Sequence, residues 1–310
     1  MTVDLQLLRN GSMNAEQVAL LGEAWRGLDG LDTSMKTDDD AVDDDVSSHG
    51  CVFDVANFGA RGDNLTDSSG PVATAIAAAM ASPSCSAGRT VLFAAAAAAV
   101  GPADEAKAPA VFLSRPIALA SAVNIEMRIE SGVTLAPYLT GGSIWDWPSH
   151  EPKACGVCFT TFIDIRDCTN VSLGGGGGLI DGRGGLWWPQ RWHNTSFNSL
   201  RHPPYMLEVH NTTGFSLENL TVIDPPAQFL SIGHSSRIRM SYFNFTASWV
   251  NGSCPHPVRE RGHANTGLCE PQNSDGIDIA AGTHDVHVHD GHIQVRRTMI
   301  CMHVCMCVGR

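Results

Sequence analysis

The sequence predicts an all-β fold in which short parallel strands coil into a solenoid, and three observations carry that expectation. First, Val171-Ser172-Leu173, Phe215-Ser216-Leu217, Ile238-Arg239-Met240 and Val286-His287-Val288 share an apolar–polar–apolar pattern, the period-2 mark of a strand with one buried face. Second, a further apolar pair follows in the same phase: Leu220 and Val222, then Phe243 and Phe245, with Ile293 at the last of these positions in the fourth segment. Third, the segments are 44, 23 and 48 residues apart, which reads as two, one and two units of about 22–24 residues. A β-sandwich also shows strands at short intervals, but it does not hold one phase over so long a stretch. With 31 Gly against 3 Tyr, the composition favours turns over long helices.

Taken in order, residues 1–50 hold 11 Asp/Glu against 3 Lys/Arg. One helix is expected over residues 14–28. Residues 37–45 contain six Asp, repel themselves and are expected to be a solvated, disordered lead-in; they lack the Gly and closing Glu of an EF-hand loop. Residues 51–58 are strand-like, residues 59–67 form a turn, and residues 71–81 form a helix with Asp67 or Ser68 as its N-cap. Within that turn, Arg61-Gly62-Asp63 reads as ordinary turn chemistry. The alanine run 94–99 extends a loop or strand end. Solenoid coils then occupy the chain to residue 295.

Charge and hydropathy narrow the partners. Of the net charge of −12, residues 51–310 carry only 21 acidic against 17 basic side chains. That balance argues against nucleic acid or an anionic membrane as partner, and no apolar run reaches the length of a membrane span. Eight of the 14 Asn lie in Asn-x-Ser/Thr: Asn10, Asn64, Asn170, Asn194, Asn211, Asn219, Asn244 and Asn251. Chance gives roughly two such sites, so a secreted glycoprotein is expected, although no signal peptide is visible in the first residues. The competing reading treats these Asn as polar turn residues of the repeat. Cys155-x-x-Cys158 lacks the second half of a zinc site. No metal and no cofactor are expected.

The candidate chemistry centres on Asn273-Ser274-Asp275-Gly276-Ile277-Asp278-Ile279. Here two carboxylates stand three residues apart on a loop entering a strand, where a solenoid holds side chains rigidly on its outer face. The competing reading is that these residues satisfy turn backbone. His284, His287, His289 and His292 are expected to be outward-facing polar residues of one coil rather than a metal site. Residues 174–178, five glycines, read as a flexible turn, since no Lys-Ser/Thr follows. Trp187-Trp188 suits either stacking on sugar rings or packing under a loop.

Several of these segments together resemble the polygalacturonases of glycoside hydrolase family 28. Phe53-Asp54-Val55 through Phe58-Gly59-Ala60-Arg61-Gly62-Asp63 to Thr66-Asp67 resembles the family's opening coil. Ile180-Asp181-Gly182-Arg183-Gly184 with Trp187-Trp188, Arg201 with Pro203, Asn219-Leu220-Thr221 and Asp224-Pro225-Pro226 are similar to later blocks in the family's order. Asn273-Ser274-Asp275-Gly276-Ile277-Asp278 resembles its Asn-Thr-Asp-Gly-Ile-Asp motif.

The resemblance implies a right-handed, single-stranded parallel β-helix with an N-terminal capping helix. It also implies inverting hydrolysis of α-1,4-linked galacturonate in a pectic polysaccharide, by an enzyme that is monomeric when complete. Asp275 is then the water-activating base, with Asn273 and Asp278 binding substrate or supporting the site. The family's Asp-Asp pair is expected on the following coil, where this sequence has Arg296-Arg297. The expectation is therefore a fold incomplete at its C-terminus and impaired in hydrolysis. Residues 296–310 read as a non-native tail, since Met302–Val308 can be spelled by a simple dinucleotide repeat. Two rivals stand beside this reading: a catalytically inactive β-helix that binds cell-wall polysaccharide, and a rhamnogalacturonan-type hydrolase.

Overall fold

The computed structural model describes residues 50–82, 85, 88–95, 109–150, 157–188, 201–248, 250–251, 268–269 and 275–295. Their strands pair almost wholly in parallel, and each pass of the chain contributes to three faces. The first face stacks Cys51–Asp54, Arg89–Phe93, Val123–Glu130, Thr169–Gly176, the front of Thr213–Ile223, the front of Ser236–Ala247, and His284–His289. The second stacks Asp63–Asp67, Ala110–Ser114, Val133–Pro137, Leu179–Asp181, the rear halves of the two long strands, and His292–Val295. The third stacks Ile117–Ala120, Ile163–Arg166, Leu207–His210, Leu230–Gly233 and Ile277–Ile279. This is a parallel β-helix.

The repeat found in the sequence is the register of the first two faces. Val171 pairs with Phe215, Phe215 with Ile238 and Ile238 with Val286. Leu220 pairs with Phe243, Val222 with Phe245, and Phe245 with Ile293. The ladders fill the core: Val171, Phe215, Ile238, Val222 and Phe245 are all essentially inaccessible. Each such side chain stabilises the fold by about 1.5–3 kcal/mol through apolar burial.

One expectation about this repeat is corrected. The separations of 44 and 48 residues are single coils, not pairs, because the paired segments are immediate neighbours in the sheet. The excess residues are inserted between the second and third faces, at 182–206 and 248–276. Short strands decorate such inserts: Ser149–His150 pairs antiparallel with Val157–Phe159, and Val250–Asn251 with Leu268–Cys269. A solenoid tolerates insertion there because a corner only has to return the chain to the next strand.

The corners need left-handed backbone, and the sequence supplies residues that adopt it. Asn124, Asn170, Gly214, Arg237 and Asp285 follow one another, one per coil, all at positive φ. Asn and Asp tolerate this region because their short polar side chains bond locally. Asn170 Nδ2 donates to Asn124 Oδ1 at 3.1 Å, and Asn211 Nδ2 to Asp167 Oδ1 at 2.6 Å. Asn170, Asn211 and Asn219 are thus corner residues as well as exposed sequons.

In the first coil a helix, α1 (Ser69–Met80), stands where the third face would begin. It buries Val72, Ala75, Ile76 and Ala79 against the first coil, the capping arrangement that the resemblance implied. The helix starts two residues earlier than expected. Asp67 Oδ1 accepts the Ser69 N–H at 3.0 Å, while the Ser68 hydroxyl is engaged by the Arg61 backbone. Asp63–Asp67, read as turn in the sequence, is a strand of irregular register. A disulfide, Cys51–Cys85, ties the first strand to the segment after the helix.

The glycine run is corrected too. Thr169–Gly176 is a strand, and its glycines answer a steric demand rather than flexibility. A Cβ on Gly174 would lie 2.2 Å from the Glu218 carbonyl, and one on Gly176 2.3 Å from that of Ile129. The acidic lead-in, the expected helix over 14–28 and residues 296–310 lie outside the described residues, as do Asn10, Asn194, Cys155 and Asn273.

Candidate active site

Alternation along the third face decides what it can show to a substrate. Its inward positions are aliphatic and buried, among them Ile163, Leu207, Leu230 and Ile277. Its outward positions form two rows: Asp164, Glu208, Ser231 and Asp278 in register, and Arg166, His210 and Gly233 beside them. In-register strands place neighbouring members of a row about 4.8 Å apart.

Asp275 lies just before Ile277–Ile279, at the edge of this face. Its carbonyl accepts the Phe229 N–H at 3.0 Å, which continues the ladder into the corner and fixes the backbone there. Its carboxylate, half-buried, faces the Gln228 amide on the preceding coil, with Nε2 at 3.4 Å from Oδ2. Gln228 Oε1 is buried and has no hydrogen-bond partner among the described residues.

One coil further back stands Tyr205, half-buried. Burial first, then the charges of Glu208, Asp278 and Asp275, push its phenol above the ordinary value. Gly276 cannot be larger, because a Cβ there would meet Ile293 at 2.6 Å.

Beneath them lies a charged cluster. Arg166 pairs with Asp164 (Nε to Oδ2, 2.7 Å) and with Glu208 (Nη2 to Oε1, 2.9 Å). Glu208 Oε2 accepts the Thr161 hydroxyl at 3.0 Å. Burial raises the Asp164 carboxyl against the opposing pull of Arg166.

Asp275 and Asp278 are therefore brought to one face, whereas Asn273 lies outside the described residues. Gln228, Tyr205, Glu208, Asp164 and Arg166 were missed in the sequence. A signal existed in Ile163-Asp164-Ile165, Leu207-Glu208-Val209 and Ile277-Asp278-Ile279, a second apolar–polar–apolar series parallel to the one that was aligned.

The other candidates resolve as structure. Trp187 and Trp188 are buried, so of the two readings the packing one holds. Trp188 Nε1 donates to Pro225 O at 3.1 Å, and Trp187 meets Phe159 edge-on at 5.0 Å. Gly182 and Gly184 of the same motif let the Asp224-Pro225 backbone approach, where added Cβ atoms would lie 2.5 Å from Asp224 O and 2.6 Å from Pro225 O respectively. His284, His287, His289 and His292 are exposed on the last coil. Among the described residues no three potential ligands converge on a metal position, and no helix is long and apolar enough to cross a membrane.

A parallel β-helix with carboxylates gathered on one outer face is a solenoid suited to acid–base chemistry. Residues 103–309 match the model of Glycosyl hydrolases family 28, and the chain belongs to that family. A 100-residue stretch is 32% identical to the "Probable polygalacturonase" of Vitis vinifera, covering 30% of this chain and 20% of that relative. The match thus spans a fifth of that relative's length.

Two solved structures share the fold. A candidate glycosyl hydrolase of Parabacteroides merdae superposes with a TM-score of 0.54 at 16% identity, over 80% of this chain and 90% of that one. The endo-xylogalacturonan hydrolase of Aspergillus tubingensis does so at 0.53 and 19% identity, over 78% of this chain and 50% of its own.

Proposed function

We propose that this chain acts outside the cell as a monomer on pectic polysaccharide, hydrolysing α-1,4-galacturonosidic bonds with inversion. The observation that carries this reading is the placement of Asp275, held by the Phe229–Asp275 backbone bond on the face that also carries Tyr205, Glu208 and Asp278. Asp275 takes a proton from a water, and that water attacks the anomeric carbon from the side opposite the leaving oxygen. Completing the step requires a proton on the leaving oxygen from a second carboxyl roughly 6.5–9.5 Å from Asp275, the group that the resemblance expects on the following coil. Asp278, on the strand that follows, and Asn273 bind substrate or support the site. The Cys51–Cys85 disulfide and the exposed sequons support an oxidising, secretory location.

The test is release of reducing ends from polygalacturonate by the chain and by its Asp275→Asn variant. Activity lost in the variant supports the assignment; equal activity in both sinks it. A second reading, binding without cleavage, is favoured by Arg296-Arg297 where the resemblance expects the acid-bearing Asp-Asp pair. Loss of a general acid costs about 10²–10⁴ in rate. In that case the chain retains the polymer on a column and releases no new ends.

A further inference from the structure

Gly233 closes the fourth strand of the third face, Leu230–Gly233, at an outward position in register with His210. A glycine in a strand gives up side-chain packing and costs backbone entropy, and it marks a place that something else approaches closely. The backbone does not demand it here, because Gly233 lies outside the left-handed region. What a Cβ would meet is the His210 imidazole, Cδ2 at 3.2 Å and Nε2 at 3.8 Å. The His210 ring thus leans over Gly233, on the coil next to that of Asp278. The His234 ring meets it edge-on, with centroids 5.1 Å apart, and limits its movement.

Glu208 points outward from the same strand two residues earlier, and both side chains are half-buried. The Glu208 carboxylate is fixed from two sides, by Arg166 Nη2 at 2.9 Å and by the Thr161 hydroxyl at 3.0 Å. Alternate residues on a strand stand about 6.6–6.8 Å apart. Beyond them the next strand offers only Ser231 and Gly233, so the surface steps down before it reaches Asp278. A held carboxylate and a held imidazole therefore stand side by side above a shallow shelf. Adjacent hydroxyls of a pyranose suit this pair, since each hydroxyl both donates and accepts. The carboxylate accepts from one hydroxyl in a charge-assisted bond, and a ring nitrogen meets its neighbour. Neither side chain has to be ordered when the sugar arrives.

We propose that Glu208 and His210 form a sugar-binding position that reads two adjacent free hydroxyls of one pyranose ring. Two coil steps of about 4.8 Å each separate it from the coil of Asp275. It therefore holds a sugar remote from the bond being cut, and Glu208 and His210 are positioning residues. The inference rests on the reading of the chain as a pectin-acting enzyme and adds a binding position to it.

The experiment is calorimetric binding of the full chain to linear oligogalacturonate and to the same oligomer acetylated on its ring hydroxyls. The acetylated oligomer is expected to bind about tenfold more weakly, as its esters cannot donate to Glu208. His210→Ala is expected to weaken binding of the free oligomer about tenfold and to shrink the acetylation penalty, because the two changes remove one shared interaction. His210→Gln, which keeps a donor and an acceptor, should recover part of the loss. Gly233→Ala leaves every hydrogen-bonding group in place but displaces the imidazole, and a loss of a few-fold with an unchanged Tm is expected. Equal binding of the two oligomers by the unsubstituted chain overturns the position alone. So does an acetylation penalty as large in His210→Ala as in the unsubstituted chain, since the esters then act elsewhere. Failure of the folded chain to bind either oligomer overturns the pectic reading, and this inference with it.

Discussion

Gln228 Nε2 and Asp275 Oδ2 stand 3.4 Å apart across the boundary between two adjacent coils. The pairing joins a carboxylate to a neutral amide donor, at the long end of hydrogen-bonding distance, and it ties the Asp275 side chain to the preceding coil. Asp275→Asn is expected to lower reducing-end release by about 10²–10⁴. Gln228→Ala is expected to lower kcat more modestly while leaving the thermal melt near that of the unsubstituted protein. Gln228→Glu is the sharper probe. A second carboxylate beside Asp275 holds a proton between the two, so the acid limb of the pH–rate profile moves to higher pH. An unmoved limb in Gln228→Glu removes Gln228 from the site.

The motif Ile180-Asp181-Gly182-Arg183-Gly184 is expected to be a packing device. A methyl group at Gly184 would lie 2.5 Å from Trp188 Cζ2 and 2.6 Å from the Pro225 carbonyl, the latter part of a fixed corner. Gly184→Ala is therefore expected to destabilise by about 1–3 kcal/mol through overpacking, seen as a Tm several degrees lower. Gly70→Ala is the control, because a Cβ there meets nothing within 4 Å and Ala is the better helix former. Its Tm should be unchanged or slightly raised. Equal behaviour of the two variants contradicts the steric account.

What was legible in the sequence follows from where the physics is local. The first and second faces could be read because Val171, Phe215, Ile238 and Val286 repeat with the strand period, and every one of those pairings is realised. The number of coils was misread because insertions lie at corners, where no periodic burial marks them. Asp275 could be singled out as a candidate from its loop-to-strand setting and the resemblance. Glu208, Asp164 and Arg166 could not be ranked, since their meaning lies in cross-coil pairs such as Arg166–Glu208, more than forty residues apart in the chain.

The stacked core should be sensitive at its aromatic rungs. Phe245 is fully buried, its ring parallel to that of Phe229 (centroids 5.1 Å apart, planes within 4°), and Phe243 lies 4.9 Å away. Phe245→Ala leaves a cavity that neighbouring coils, fixed by backbone ladders on both sides, cannot close. The expected loss is about 3–5 kcal/mol, against a smaller loss for Phe245→Leu, which leaves a smaller cavity. Denaturant midpoints of the two variants check this. An alanine variant no less stable than the leucine one refutes the ladder account.

The corner at Asp63 gives a pH signature. Its Oδ1 accepts the Thr66 and Leu65 N–H groups at 2.8 and 3.0 Å, and Oδ2 accepts the Thr66 hydroxyl at 2.7 Å. Led by the Thr66 backbone bond, these donors lower the carboxyl from 3.8 to about 2. The folded value lies below the unfolded one, so ionised Asp63 stabilises the fold at pH above about 4. That contribution fades as pH falls from 3.8 toward 2. Because the group is exposed, solvent screens the effect, and the Tm difference between the unsubstituted protein and Asp63→Ala should be on the order of a degree. The difference between the two proteins isolates Asp63, since the remaining carboxylates titrate alike in both. The gap should be constant from pH 7 to 5 and close between pH 4 and 2. A gap that widens in acid would mean that the protonated form holds the corner, contrary to the geometry of its three donors.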